Sequence, residues 1–534
     1  MRKYLILAAT LLILGLGLRL YDLTDQPIDF HATRQLRGAI IARGMYYEMS
    51  PQADPAARQA ALAFWASTGQ YEPSILERLV AITYLLTGSE HFWIGRIFTS
   101  LFWIIGGLAL FALAQRLAAR PDAELPSVSA SAVPPSDRTS PPSEANFSTT
   151  ASQNNAAVIA GSALIALAYY LFLPFSVQAS RSFQPDPGMV MWLVLFAFAL
   201  YRWSETRQWK WAILSGALAG IAVLSKAVAA YIVGAAALAM VLVNFEWKLR
   251  AVPRLLRNLQ VWSMAVLMIA PTAVYYLGRG ERTSEFFTSW TLALSHLLLN
   301  PQFYLQWLNT LQKLMLWPFL LLSLAGLILA GKRPRSLLLG LWGGYVLYGL
   351  SLPYQMYSHS YYHLQTVPIV ALSLVPVARY VLERILRLGR AWRFGLAAAA
   401  VVLLVYTAWV ATQPMRNQDY RNEPAYWQTI ASYLPSDGKI MALTQDYGYR
   451  LMYYGWRKVV LWPNRGEQKL SQLRGSEKEF ETYFAKHTQD KRYFLITAFR
   501  QFEDQPDLKA YLYEHYPVLA EGQGYLIFDL ANPQ

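Results

Sequence analysis

The chain reads as a multi-pass α-helical membrane protein with a small soluble α/β domain at its C-terminal end. Three observations carry that reading. Of the 534 residues, 55% are hydrophobic and only 15% charged, where a soluble protein carries about 25% charge. Apolar runs recur over residues 4–412, each near the length that crosses about 30 Å of hydrocarbon. Beyond residue 412 short apolar stretches alternate with helix-like ones, the pattern of an α/β domain. A soluble cytoplasmic enzyme, a disordered chain and a fibrous protein are excluded. The net charge is +14. Its basic residues sit largely in short loops between apolar runs, so the expected partner is a lipid bilayer and no nucleic acid. There are no cysteines, hence no disulfide, thiolate nucleophile or Cys-ligated zinc.

The elements follow in order. Arg2 and Lys3 precede the apolar run Tyr4 to Leu18, and Arg19-Leu20-Tyr21-Asp22 follows with no small-x-small cleavage site. An uncleaved anchor with a cytoplasmic start is expected. Residues 22–92 form a large first outer loop. In it Asp54-Pro55 supplies a helix cap and a proline at the first helical position. Ala57, Ala60, Ala61, Phe64 and Trp65 then line one apolar face, which predicts a helix lying in the membrane interface.

Further spans are expected near 94–115, 156–178, 188–201, 211–224, 227–243, 259–277, 314–331, 337–352, 366–382 and 394–412, about eleven in all. The pair 211–224 and 227–243 is short enough to be one long tilted helix instead. Residues 121–155, rich in Ser, Pro, Ala and Asn, read as a disordered cytoplasmic insert.

Alternation of the loops sets the orientation. Four loops on one side hold Arg202, Arg207 and Lys210; Lys248, Arg250, Arg254 and Arg257; Lys332, Arg333 and Arg335; and Arg384, Arg387, Arg390 and Arg393. The opposite loops hold Arg181, Lys226, Arg279 and Arg282. The bias predicts a cytoplasmic N-terminus and an extracytoplasmic C-terminal domain in a cell membrane. In residues 413–534, strands are expected at Lys439–Thr444, Lys458–Trp462, Arg492–Thr497 and Tyr525–Asp529, with helices near 424–434, 475–487 and 506–516.

Two motifs fail. Gly326-x-x-x-x-Gly331-Lys332 continues with Arg333 where a P-loop needs Ser or Thr, and it ends an apolar helix. Gly216-x-x-x-Gly220 fits helix packing better than function.

Candidate chemistry collects in the outer segments. Pro27-Ile28-Asp29-Phe30-His31-Ala32-Thr33-Arg34-Gln35 follows the first span. An acid such as Asp29, partly desolvated there, would gain basicity; it would equally cap a helix starting at Phe30. Gln70-Tyr71-Glu72-Pro73 closes the same loop, and Arg181-Ser182-Phe183-Gln184-Pro185-Asp186-Pro187 joins two spans. Lys226, between two apolar stretches, is an ionisable group at membrane depth. Tyr357, His359, Tyr361, Tyr362 and His363 crowd one short outer loop, as an aromatic belt would or as part of a metal site.

The order of these pieces resembles a known family. An anchor is followed by a long outer loop with an early Asp29 and a late Glu72-Pro73 step. Gly88-Ser89-Glu90-His91-Phe92-Trp93-Ile94-Gly95-Arg96 leads into the second span, and Pro185-Asp186-Pro187 and Lys226 come later. This is similar to the GT-C integral-membrane glycosyltransferases, in the branch of protein O-mannosyltransferases and lipid A aminoarabinose transferases, over roughly residues 1–412. Relatives often carry a Lys and two prolines after the second acid, where this chain has Pro73-Ser74. The resemblance implies transfer of a sugar from a polyprenyl-phosphate donor to a hydroxyl of a protein, lipid or glycan at the outer face. It implies Asp29, Asp186 and Glu72 as catalytic acids. Transfer needs a base and cations at the leaving phosphate. Asp29 is the expected base, and Arg181, Lys226 and Arg96 are the expected phosphate-binding cations. Glu72, with His359 or His363, is the expected holder of a divalent metal ion. The competing reading is a multi-pass lipid or sugar transporter, or flippase. No internal repeat supports it.

Overall fold

The computed structural model describes residues 2–69, 72–119, 144–245, 252–277, 288–436, 439–473 and 479–534. The chain begins with helix α1 (Arg2–Leu20). The first loop is filled by α2 (Ala32–Glu48), α3 (Pro55–Ser67) and α4 (Ile75–Thr87). Next come α5 (Trp93–Ala118), α6 (Glu144–Phe172), the short α7 (Pro174–Arg181), α8 (Asp186–Thr206), α9 (Trp209–Ser225) and α10 (Ala229–Asn244). The one-turn α11 (Val252–Leu256) leads into α12 (Leu259–Leu277). The apolar part closes with α13 (Pro301–Met315), α14 (Trp317–Leu329), α15 (Lys332–Ser351), α16 (Pro353–Ser358), α17 (Thr366–Ile385) and α18 (Arg390–Asn417).

By length and apolarity seven described helices can cross a bilayer: α1, α5, α6, α8, α12, α17 and α18. The pair α13–α14, bent by 98°, makes an eighth if counted as one span. The difference from the expected number lies in particular helices. α9 and α10 are apolar but only 17 and 16 residues long, and α15 opens on Lys332, Arg333 and Arg335. The ambiguous stretch 211–243 forms two helices, broken at Lys226, whose backbone turns to the extended region. The insert expected at 121–155 is shorter on its C-terminal side, because α6 already begins at Glu144. The rest of that insert lies outside the described residues, as do Lys248, Arg250, Arg279 and Arg282.

Small residues permit close helix contacts. A Cβ on Gly220 would lie 2.3 Å from the Leu267 carbonyl of α12, and one on Gly344 would lie 2.4 Å from the Ile232 Cα of α10. Such approaches let apolar helices gain dispersion contacts that lipid would otherwise match.

The first loop is a packed layer. Asp54 accepts from the Ala57 amide at 2.8 Å and Pro55 starts α3, as expected. The apolar face of α3 has a protein partner, however: Ala61 and Phe64 are buried, and Trp65 covers Gly44 of α2, where a Cβ would lie 2.4 Å from the Trp65 Cβ. The apolar face expected at the membrane interface therefore packs in part on α2, with Ala57, Ala60 and Trp65 only half-buried.

After α18 comes α19 (Glu423–Ser432), then a five-stranded sheet of order β2-β1-β3-β5-β4. β1 (Ile440–Leu443) runs parallel to β2 (Val460–Leu461) and to β3 (Tyr493–Ile496). β5 (Tyr525–Asp529) is antiparallel to β3 and to β4 (Val518–Gly522). The four expected strands are present; β4 is an addition, an edge strand too exposed to show an apolar pattern. Its signal was Gly522-Gln523-Gly524, with Gly524 at φ +85° turning the hairpin. One apolar cluster joins Leu36, Ile40 and Val80 of the first loop to Trp427, Ile430 and Leu451, so the C-terminal domain sits on that loop.

Candidate functional site

The segment from Asp29 to Gln35 separates two charged clusters at one end of the helix bundle. Gln35 is fully buried and pins the segment. Its Nε2 donates to Asp29 Oδ1 at 2.9 Å and to the Phe30 carbonyl at 2.8 Å, while its Oε1 accepts from the Phe183 amide at 3.1 Å.

The first cluster holds Asp29 between two buried arginines. Arg96 of α5 donates to Asp29 Oδ1 at 2.7 Å, and Arg181, ending α7, donates to Oδ2 at 2.9 Å. Burial alone would raise the Asp29 pKa, but Arg96 and Arg181 outweigh it and hold the carboxyl below its ordinary value. Both carboxyl oxygens of Asp29 are thus engaged by guanidiniums, opposite to the partly desolvated, more basic acid expected. Arg96 and Arg181, the arginines expected at a donor phosphate, are also held by backbone carbonyls. Arg96 also donates to the carbonyls of Leu23, Asp25 and Gln26. Arg181 also donates to those of Arg19, Tyr21 and Asp22. These two guanidiniums tie the turn after α1 to α5 and α7.

The second cluster gathers Glu72, Asp186 and Lys226 from three distant parts of the sequence. Lys226, at the break between α9 and α10, donates to Asp186 Oδ1 at 2.7 Å. Both side chains are almost wholly buried, and Lys226 Nζ stands 4.7 Å from the Tyr362 ring centre and 5.0 Å from that of Tyr361. Asp186 Oδ2 is buried with no hydrogen-bond partner among the described residues. Glu72 lies 3.7 Å from Arg34, whose guanidinium faces the Tyr361 ring at 5.1 Å. Burial works against the Glu72 charge, but Arg34 and then Lys226 and Arg37 overcome it and lower its pKa. Arg34 Nε is itself buried without an acceptor among the described residues.

His31 and Arg34 also belong to this cluster, and nothing local in the sequence distinguishes them from the neighbouring Asp29. His31 adopts a left-handed backbone, φ 49°, an uncommon state for a residue with a side chain and one that marks functional sites. It places the ring 4.7 Å from that of Tyr361 and 6.4 Å from that of His359, with Nε2 2.8 Å from the Ser360 hydroxyl. Burial, then the charges of His359 and Arg34, push His31 down to about 4. His359 is also lowered to about 4, by burial and by Arg34 and Lys226. Both imidazoles are neutral near pH 7.

The expected metal set does not come together. His363 is fully buried, with Nε2 on the Met356 carbonyl at 2.8 Å and Nδ1 on the Tyr345 hydroxyl at 2.7 Å. A carbonyl cannot donate, so Nε2 carries the proton and Nδ1 accepts; no lone pair remains for an ion. Among the described residues no three His, Asp or Glu side chains are placed to share a metal. The donor set of Glu72, His359 and His363 does not fit one.

The model of the family dolichyl-phosphate-mannose-protein mannosyltransferase matches residues 158–276. That stretch contains Arg181, Asp186 and Lys226. A search of curated proteins found no match. ArnT from Cupriavidus metallidurans, in a crystal structure bound to undecaprenyl phosphate, aligns with TM-score 0.52 at 14% identity, over 98% of this chain and 99% of that one. The oligosaccharyltransferase AglB from Archaeoglobus fulgidus, in complex with an inhibitory peptide and a dolichol-phosphate, aligns with TM-score 0.51 at 10% identity, over 97% of this chain and 74% of that one. The chain has the GT-C fold. Within this GT-C fold the second cluster draws on the first loop, the start of α8, the α9–α10 break and the α16–α17 turn. The C-terminal domain stands beside it, since Thr33 donates to Asp446 Oδ1 at 3.0 Å.

Proposed function

We propose that the protein transfers a glycosyl group from a polyprenyl-phosphate-linked donor to an acceptor hydroxyl at the outer face of the membrane. One observation carries the reading: in a chain of GT-C fold, Lys226 and Arg34 stand beside an unpartnered Asp186 oxygen and a neutral His31. Cations in a water-poor site suit a phosphate leaving group. A neutral imidazole or a free carboxylate oxygen suits removal of the acceptor proton. The ligands named for ArnT and AglB, undecaprenyl phosphate and dolichol-phosphate, are of the same lipid-phosphate class.

In this proposal the acceptor oxygen attacks the anomeric carbon of the donor. The bond from that carbon to the phosphate oxygen breaks, and polyprenyl phosphate leaves with the electron pair. Lys226 and Arg34 hold the phosphate. His31 takes the acceptor proton, and Asp186 orients Lys226. The bound phosphate would offset the Arg34 and Lys226 charges that oppose protonation of His31, so the imidazole becomes a better base once the donor is in place. Asp29 is a positioning residue in this scheme, and Glu72 orients Arg34. Whether the sugar is a hexose or a pentose follows from the donor that reacts. The acceptor class is protein, lipid or glycan. In this proposal the shorter α9 and α10 and the basic-ended α15 cross the membrane together with the eight spans counted above, about eleven in all, with the N-terminus inside and the C-terminal domain outside.

The test uses purified protein in lipid vesicles with a panel of polyprenyl-phosphate sugars and acceptor extract. Release of free polyprenyl phosphate is followed by mass spectrometry. Wild type should release it from one donor, and His31→Asn should lower the rate about 10²- to 10⁴-fold with the donor still bound. Lys226→Met should weaken donor binding. No release from any donor, with labelled lipid crossing sealed vesicles, would establish a transporter instead.

A further inference from the structure

The end of the bundle opposite the site holds a second charged feature. α5 runs from the Arg96 end to Arg116, and α8 runs from Asp186 to Glu205. At 1.5 Å per helical residue the two ends are roughly 30 Å apart. There a cavity of about 900 Å³ opens between the ends of α5, α8, α10 and α14, the start of α15, and α17.

Its described walls carry five basic side chains and one acid, Glu205. Glu205 is engaged by Arg202 at 2.5 Å, with Arg116 3.7 Å away, and Arg379 pairs with Glu383 at 2.9 Å. That leaves Arg207, Lys332 and Arg333 around the cavity with no carboxylate partner among the described residues. Burial and the Arg333 charge both lower the Arg207 pKa, as expected where two guanidiniums share a space lacking a counter-ion. Asn244 lines the same cavity. Its Oδ1 accepts from Ser204 at 2.9 Å, while its Nδ2 is buried with no acceptor among the described residues. The remaining wall is apolar, with Leu117, Val243, Leu329 and Pro376.

Cations without a carboxylate partner and an amide donor beside a hydrocarbon wall call for a ligand that is an anion at one end and apolar at the other. We propose that this cavity binds the phosphate headgroup of an anionic membrane phospholipid, with its acyl chains along the Leu117–Leu329 wall. This ligand is separate from the donor of the proposed reaction. The loop bias of the sequence puts this end at the cytoplasmic leaflet, where such lipids meet basic pockets between helices.

The experiment is native mass spectrometry of the full-length protein in detergent, titrated with phosphatidylglycerol or phosphatidylcholine. Wild type should retain one phosphatidylglycerol in preference to phosphatidylcholine by about tenfold. The double variant Lys332→Gln/Arg333→Gln changes exposed side chains at the start of α15 and should abolish that preference. Arg335→Gln, exposed but outside the cavity wall, should keep it. Equal retention of the two lipids by wild type would overturn the proposal. So would a preference that survives in the double variant, or one lost equally in Arg335→Gln. Displacement of phosphatidylglycerol by millimolar inorganic phosphate would assign the cavity to a free anion and overturn the lipid assignment.

Discussion

Asp29 and His31 lie two residues apart, yet the fold gives them opposite chemistry. Asp29 meets Arg96 and Arg181, which favour its charge; His31 is buried beside His359, Arg34 and Lys226, which together disfavour its protonation. If Asp29 holds the loop, Asp29→Asn should lower the melting temperature sharply, because two buried arginines lose their counter-charge. Removing one partner of such a buried pair costs about 3–5 kcal/mol. An unchanged melting temperature with lost transfer would instead make Asp29 the base. The histidines also set a pH dependence. Their ordinary value of 6.5 applies to the unfolded chain, and they titrate near about 4 in the folded one. Between those limits the unfolded chain binds more protons, so stability falls as pH drops from 6.5 towards 4. Thermal melting across that range should show the fall, and His31→Gln with His359→Gln should flatten it. At this scale the sequence shows which segments carry the charged residues but not which of those residues meet. Asp29, Arg96 and Arg181 are recognisable as charged residues at span ends, but that they saturate one another depends on three helix ends meeting.

At the scale of elements, the glycines of α15 separate two roles. Gly344 is pressed on the α10 backbone, whereas a Cβ on Gly343 would meet nothing within 4 Å. Gly344→Leu should force α10 from α15 and destabilise the protein by about 1–3 kcal/mol. Gly343→Ala should leave stability unchanged or raise it by up to about 1 kcal/mol. Melting of the two variants in detergent separates close packing from mere helix propensity, and equal effects would refute the distinction. Because α10 follows directly on Lys226, displacement of α10 should also disturb the Lys226–Asp186 pair. The same scale explains what was hidden in α3. Its apolar stripe is plain in the sequence, but a stripe facing lipid and a stripe facing α2 have the same period.

For the whole molecule, the clusters, the first loop and the C-terminal domain form one end of the bundle. Arg43 of α2 joins them: it pairs with Glu90 at 2.9 Å, donates to the Tyr453 carbonyl at 2.7 Å and stacks over the Tyr453 and Trp456 rings. If this end faces outward, a thiol on it should be open to an impermeant reagent. The chain has no cysteine of its own, so Glu521→Cys, on the exposed strand β4, gives a clean signal. Intact cells should show labelling by a membrane-impermeant maleimide. Labelling only after permeabilisation would reverse the orientation and place the proposed transfer on the inner side.

The sequence by itself determined the membrane class, the helix cap at Asp54 and four of the five strands of the C-terminal sheet. Each of these follows from local composition and periodicity, which act over a few turns of chain. The tertiary structure alone decided which charges meet. It paired Lys226 with Asp186 across 40 residues and set Arg181 against Asp29 across 152. It also turned both ring nitrogens of His363 inward. An ionisable side chain takes its chemistry from the charges and solvent that surround it, and those neighbours arrive only when distant helices pack.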